Sequence, residues 1–375
     1  MIRIVADDKI PFLKGVFEPF ADIIYLPGNA ITKDVILHAD ALLIRTATKC
    51  DHHLLCGTSV KFIGTATIGF DHIDTVYCEN NSIRWVNAPG CNATSVRQYI
   101  SSALLTIAEK SGFSLQNQTL GIIGVGNVGK QVENLAHFIG MKVLLNDPPR
   151  ERNELPGLFV SYDYLLQASD IVTFHVPLNK TGQNKTLHLI NRESIRKMKP
   201  NAWLINSSRG EVMDTAALKE AISNGSFPGL VLDVWENEPK IDLDLLFHVF
   251  LATPHIAGYS AEGKANGTAT VVRELGQFFN LPFEGWFPAN LPEPDYPGLI
   301  IDGKNKTSEG ILREAVKHTY SILEDDRRFR AEPQAFEQQR GNYPIRREFS
   351  AYHVSLKNAS NASMELLKNL DFLVE

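Results

Sequence analysis

Three residues have side chains suited to proton and carboxylate chemistry, and each stands just past an apolar run. Arg209 follows "AWLINSS", Glu238 lies in "DVWENEP" and His255 follows "VFLATP". A histidine, with an ordinary pKa of about 6.5, exchanges a proton near neutral pH. A carboxylate beside it orients the ring and favours the imidazolium form. An arginine holds a carboxylate through two parallel hydrogen bonds. Together these roles suit oxidation of a hydroxy acid, in which hydride leaves carbon and the hydroxyl proton passes to a base. Singly, each residue has a plainer reading: a surface arginine, a solvated turn glutamate, a turn histidine.

Such a set needs a hydride acceptor, and "GVGNVG" supplies the place for one. Gly124, Gly126 and Gly129 form a G-x-G-x-x-G pattern that follows the apolar run "TLGIIGV" and opens a helical stretch. In that context the glycines allow a tight turn, close approach to pyrophosphate and close helix–strand packing. The helix N-terminus offers oriented N–H groups to phosphates. Asp147 ends the next apolar run, "KVLLN", where a carboxylate accepts from ribose hydroxyls and repels a 2′-phosphate. NAD is therefore expected over NADP, although Arg150, close by, could pair with a 2′-phosphate.

The elements that must position these residues alternate along the chain. "IRIVA", "IIYL", "ALLIRT", "KFIGTA" and "IRWVNA" read as buried strands separated by stretches of helical length. A long helix is expected from Ala93 to Lys110, with Asn92 as its cap. A second series follows: "TLGIIGV", "KVLLN", "DIVTFHV", "AWLIN", "GLVLDV" and "VFLAT". Alternation of this kind predicts parallel sheets covered by helices, and in such sheets the carboxyl ends of the strands converge on the ligand. Arg209, Glu238 and His255 all fall at such ends. A proline-rich stretch, "NLPFEGWFPANLPEPDYPG", then leads to "LIID", a helix near 308–325, "FSAYHVS" and a last helix near 360–369, a small α+β domain.

Composition excludes several classes. The 375 residues carry a formal charge of −6 with 44% hydrophobic and 21% charged residues, so nucleic acid is not expected as a partner. No window approaches a membrane span, and the N-terminus lacks a secretory layout, which together point to the cytoplasm. Cys50, Cys56, Cys78 and Cys91 form no C-x-x-C pair, so neither a metal cage nor a disulfide framework is expected.

With these motifs in order, "GIIGVGNVG", "LINSSRGEVMD", "VLDVWENEP" and "TPHIAG", the chain resembles the D-isomer-specific 2-hydroxyacid dehydrogenases over about residues 1–290. "NAPGCNATSV" resembles the family's entry into the helix joining its domains. The resemblance implies two doubly wound parallel-sheet (Rossmann-like) domains plus a small C-terminal α+β dimerisation domain. The implied boundaries are 1–95 with 260–290 for substrate, 96–259 for NAD, and 291–375 for the tail. It implies that Arg209 orients the substrate carboxylate and carbonyl, Glu238 supports the histidine and His255 exchanges the proton. It further sets Gly124, Gly126, Asn127, Val128, Gly129, Asp147, Val176, Asp233 and Gly258 against the cofactor. Val176 stands where some relatives have a hydroxyl residue, so a contact there falls to its backbone. Gln98 replaces a glutamate common in relatives, a change expected to touch hinge polarity.

Within the family, "IRTATKC", "FIGTATIGFDHID", "HIAGYSAEGKANGT" and the tail's "NYPIRREFS" narrow the resemblance to members that oxidise a phosphorylated hydroxy acid as homodimers. Thr46, Thr67 and Tyr259 then contact substrate, and Arg45 and Lys49 suit its phosphate on grounds of charge. Arg346 and Arg347 offer a phosphate contact across a dimer, against a plainer role in interface salt bridges. Glu262 and Lys264 belong to the start of a helix and carry no expected chemistry. Two other readings stay open at this point: a family member acting on a three-carbon acid such as phosphoglycerate, glycerate or hydroxypyruvate, and a silent NAD-sensing protein, which predicts loss of the three charged groups.

Overall fold

The computed structural model describes residues 1–154, 157–225 and 229–375. The chain divides into two compact units, Met1–Asn92 with Ser260–Pro292, and Ala93–Tyr259 with Glu293–Glu375.

In the first unit, β1 (Ile2–Asp7), β2 (Ala21–Leu26), β3 (Ala41–Ile44), β4 (Phe62–Thr65) and β5 (Arg84–Val86) form one sheet in the order β2-β1-β3-β4-β5. Every pairing is parallel. All four residues of β3 and of β4 are buried, as expected of central strands covered on both faces. The helix Ala261–Phe279 lies on this sheet and packs Val271, Val272 and Leu275 with Ile4, Leu43 and Phe62. Ser260 caps it by accepting the Gly263 N–H at 2.8 Å, and Glu262 sits in its first turn, where the helix dipole favours a negative charge.

The second unit carries β6 (Thr119–Ile123), β7 (Lys142–Asn146), β8 (Ile171–Phe174), β9 (Trp203–Asn206), β10 (Leu230–Leu232) and β11 (Leu251–Ala252). Their order is β11-β10-β9-β8-β6-β7, again all parallel. The chain steps from β6 outward to β7 and then back past β6 to β8, so the switch point falls at the end of β6, beside "GVGNVG". The helix Asn127–Ile139 buries Gly129, Val132, Leu135 and Ala136 along one face and stops at Gly140, whose φ of 89° is the left-handed conformation that glycine adopts cheaply.

The helix Ala93–Ser111 is buried almost throughout because it packs against both Asn127–Ile139 and the tail helix Ser308–Thr319. Asn92 does not cap it: its side-chain oxygen is buried without a hydrogen-bond partner. Gln98 is also fully buried and donates to the Arg347 carbonyl at 2.9 Å, which fastens the tail to this helix.

The tail adds β12 (Gly298–Asp302), β13 (His353–Lys357) and β14 (Leu373–Val374), a parallel sheet in that order. The helix expected near 308–325 is two helices, Ser308–Thr319 and Ile322–Ala331, broken where Tyr320 turns to an extended backbone. The second of them lies along β11. Asp326 accepts the Ala252 N–H at 2.7 Å, while Arg330 donates to the Leu246 and Val249 carbonyls at 2.6 and 2.9 Å. An exposed edge strand invites pairing with other chains, and here the tail covers it.

Candidate active site

Three adjacent parallel strands end together in the second unit. Leu232 pairs with Asn206 on one side and Ala252 on the other, which brings the turns after β9, β10 and β11 side by side. Gly210, next to Arg209, lies so close to the Trp235 and Glu236 backbone that any Cβ there would collide with it. That contact presses the arginine turn against the glutamate turn. Arg209 donates to its neighbour's carbonyl, Ser208 O, at 2.8 Å, and its own carbonyl accepts Asn206 Nδ2 at 2.9 Å.

Glu238 and His255 form a direct pair. Glu238 Oε2 lies 2.7 Å from His255 Nδ1, and Oε1 accepts the Trp235 N–H at 2.8 Å. Burial pushes the Glu238 carboxyl up, but the His255 charge and hydrogen bond, the Trp235 N–H and the Arg340 charge outweigh it and leave it below its ordinary value. An ionised carboxylate only accepts, so the proton on the imidazole resides at Nδ1 and Nε2 is left to exchange one. His255 itself has φ of 57°, an uncommon conformation for a residue with a Cβ. Strain of this kind persists only where the surroundings impose it.

Asp233 imposes it. This fully buried carboxylate accepts the Ile256 N–H at 2.8 Å and Thr253 Oγ1 at 2.6 Å through Oδ1, and the Ala257 N–H at 2.8 Å through Oδ2. The His255 N–H donates to the Asp233 carbonyl at 2.6 Å. Tyr99 OH lies 2.8 Å from Thr253 Oγ1, extending the network into the long helix. On the far side of the turn, Arg346 Nη2 donates to the Ala257 carbonyl at 2.5 Å. Arg346 is 5% exposed, and its guanidinium lies 4.7 Å over the Tyr320 ring. The histidine turn is thus clamped by a carboxylate just past β10 and a guanidinium from the tail. The sequence offered no pattern that tied Arg346 to Ala257, because the link spans 89 positions.

The three glycines of the cofactor motif differ in what surrounds them. At Gly124, with φ of 86°, a Cβ would lie 2.5 Å from the His175 carbonyl. At Gly129 a Cβ would collide with the Gly124 carbonyl, whereas at Gly126 it would meet nothing within 4 Å. The first and third glycines are required by packing, and the second leaves open space at the N-terminus of Asn127–Ile139. Gly126 is the N-cap and offers no side chain to the helix N–H groups, so those donors at Asn127 and Val128 suit a phosphate.

Asp147 accepts the Val125 N–H at 2.8 Å and the Arg150 N–H at 3.1 Å, which fixes the carboxylate at the end of β7 with lone pairs to spare. Arg150 is committed elsewhere: it forms a two-pronged pair with Glu154 at 2.6 and 2.7 Å and donates to the Val125 carbonyl at 2.6 Å. The Arg150 guanidinium is thus engaged by Glu154 and the Val125 carbonyl. Val176 borders Gly124, and Gly258 follows the clamped Ala257.

In the first unit, Thr46 lies exposed just beyond β3 and Thr67 just beyond β4, strands that pair through Ile44 and Thr65. Thr67 Oγ1 donates to the Gly69 carbonyl at 2.9 Å and lies 2.7 Å from Thr65 Oγ1. Arg45 donates to the Lys9 carbonyl at 3.3 Å, and Lys49 pairs with Asp51 at 3.0 Å. All four cysteines are free, and among the described residues no cluster of His, Cys, Asp and Glu is placed to hold a metal. No helix among them is long and apolar enough to cross a membrane.

Residues 94–257 match the family described as D-isomer specific 2-hydroxyacid dehydrogenase, NAD binding domain, and the chain belongs to this dehydrogenase family, with NAD as its cofactor. Its more specific likeness is to proteins named erythronate-4-phosphate dehydrogenase. That of Bacteroides fragilis is 46% identical, covering 94% of this chain and 99% of the relative. That of Porphyromonas gingivalis is 43% identical over 99% of this chain and 100% of its own. Residues 290–370 match a domain of unknown function (DUF3410). Among solved structures, D-lactate dehydrogenase from Aquifex aeolicus, complexed with NAD and lactic acid, is 27% identical with a TM-score of 0.59, covering 77% of this chain and 100% of that one.

Proposed function

We propose that this chain oxidises 4-phospho-D-erythronate at C2 to (R)-3-hydroxy-2-oxo-4-phosphooxybutanoate, with NAD as acceptor, on the route to pyridoxine 5′-phosphate. The observation that carries the chemistry is the Glu238–His255 pair at 2.7 Å, held at the carboxyl ends of the NAD-domain strands. The likeness to the named relatives runs through the tail as well as the dehydrogenase core, and that supports the choice of substrate.

His255 Nε2 takes the C2 hydroxyl proton while Nδ1 stays on Glu238, so the developing imidazolium faces a carboxylate that is already ionised. Arg209 receives the substrate carboxylate and keeps C2 in line. NAD, when bound, would supply the acceptor for the hydride that leaves C2. The N–H groups at Asn127 and Val128 hold its pyrophosphate, and Asp147 holds its adenosine ribose. Asp233, Val176 and Gly258 border the nicotinamide end. Thr46, Thr67, Arg45 and Tyr259 contact the substrate.

Residues 1–95 with 260–290 act as the substrate domain, 96–259 as the NAD domain and 291–375 as the dimerisation domain. A homodimer in the cytoplasm is the working form. Exposed Ile300 on the edge strand β12 and exposed Ile345 support an association through the tail.

A steady-state assay of 4-phospho-D-erythronate beside 3-phospho-D-glycerate and D-glycerate, following NADH, tests the reading. A preference for the four-carbon phosphate in kcat/KM, abolished in H255A, is expected. Preference for a three-carbon acid would overturn the substrate and leave the family and the NAD site untouched.

A further inference from the structure

Among the tail's arginines, Arg340 lies over Tyr259 beside the site, with a buried Nε that has no acceptor among the described residues. Arg346, whose Nε and Nη1 also lack acceptors among them, is 5% exposed and holds the Ala257 carbonyl. Arg328 pairs with Asp325 at 3.1 Å, Arg330 holds Asp326 and two carbonyls, and Arg346 is buried on Ala257. Arg340 stands at the end of the short helix Phe336–Gly341, with 16% of its side chain exposed. Its guanidinium lies 5.7 Å over the ring of Tyr259 and 5.8 Å over that of Phe336. Tyr259 in turn closes the histidine turn, its N–H donating to the Ile256 carbonyl at 2.9 Å.

The charge of Arg340 is poorly answered. Its hydrogen bond is to Glu337 at 3.2 Å, a carboxylate that is 64% exposed, and a pair with so exposed a partner contributes little. Its Nε is buried with no acceptor among the described residues. Glu238 and Asp233 feel its field, but each is engaged by its own donors. A mostly buried guanidinium with unused donors is costly unless an anion completes it. Its planar fork suits the oxygens of a phosphate, and the aromatic faces hold that fork in one orientation.

We propose that Arg340 is the specificity residue that receives the distal phosphate of the substrate, so that the C-terminal tail supplies part of the active site as well as covering β11. Arg209 and Arg340 then divide the two anionic ends of the substrate between them. The inference rests on the substrate proposed above. It also gives a reason for a dehydrogenase of phosphorylated acids to carry this tail.

The experiment compares wild type, R340M and R340K on 4-phospho-D-erythronate and on unphosphorylated D-erythronate, with NAD affinity measured by fluorescence titration. R340M is expected to lose about 100-fold in kcat/KM on the phosphorylated acid, at least about tenfold more than it loses on D-erythronate, and to bind NAD as wild type does. R340K, which keeps the charge without the fork, is expected to lie between. Equal losses on both acids would overturn the proposal and leave the substrate reading standing. A wild type that prefers no phosphorylated acid would overturn both. Should R340M lose NAD binding through misfolding, R340K decides: a loss confined to the phosphorylated acid supports the assignment, and an equal loss on both overturns it.

Discussion

Glu238 holds His255 Nδ1 with one carboxylate oxygen at 2.7 Å and the Trp235 N–H with the other at 2.8 Å, so neither oxygen can turn away without breaking a bond. The imidazole is thereby fixed in tautomer and direction, while the turn that carries it is fixed by Asp233 and Arg346.

Replacing Glu238 by Gln keeps the size and removes the charge. The amide no longer favours the Nδ1 proton or the imidazolium, and kcat should fall about 10²- to 10⁴-fold with little change in NAD affinity. Stability provides a second readout. The Glu238 carboxyl is held below its ordinary value of 4.5 in the fold, so its contribution is present above that value and is lost as pH falls through the lower, folded one. E238Q should lack that step, and urea midpoints measured between about pH 3 and 5 will show whether it does.

The glycines of the cofactor motif should separate binding from folding. G126A adds a methyl group to open space, so its melting temperature should match wild type while NAD affinity falls at least about tenfold. G129A drives a methyl group into the Gly124 carbonyl and should cost about 1–3 kcal/mol of stability. Thermal melts with and without NAD distinguish the two.

Cofactor choice should depend on Asp147 rather than on Arg150. D147N preserves an N-cap on the Arg150 N–H but removes the charge that repels a 2′-phosphate. Its ratio of kcat/KM for NAD over NADP should drop by about tenfold or more, whereas R150M, which removes a guanidinium already paired with Glu154, should leave that ratio within about threefold.

Arg346 should act on rate more than on binding. R346M loses the donor to the Ala257 carbonyl, leaves the histidine turn held from one side and should lower kcat about 10- to 100-fold. NAD affinity should fall less than kcat does, since Gly126 and Asp147, assigned to the pyrophosphate and the ribose, lie on other turns. Stability should fall by about 2 kcal/mol, the scale of a buried hydrogen bond to a charged group. Single-turnover hydride transfer and a denaturation curve on the same variant measure both.

Much of this protein is legible without coordinates because its information is local. Strand runs such as "ALLI" and "IVTF" must be buried on both faces, and a glycine pattern between a strand and a helix admits few structures. The topological rule that ends parallel strands at one edge is enough to set Arg209, Glu238 and His255 on neighbouring turns.

The tertiary structure alone decided what depends on contacts between distant segments. It paired Arg150 with Glu154, and it buried Gln98 against the tail. It made Arg346 a clamp on the histidine turn, and it brought Arg340 over Tyr259. A charged side chain reads the same in sequence whether it is solvated, paired or buried with donors unused. Only the packing around it sets its desolvation and its partners, and those determine what it can do.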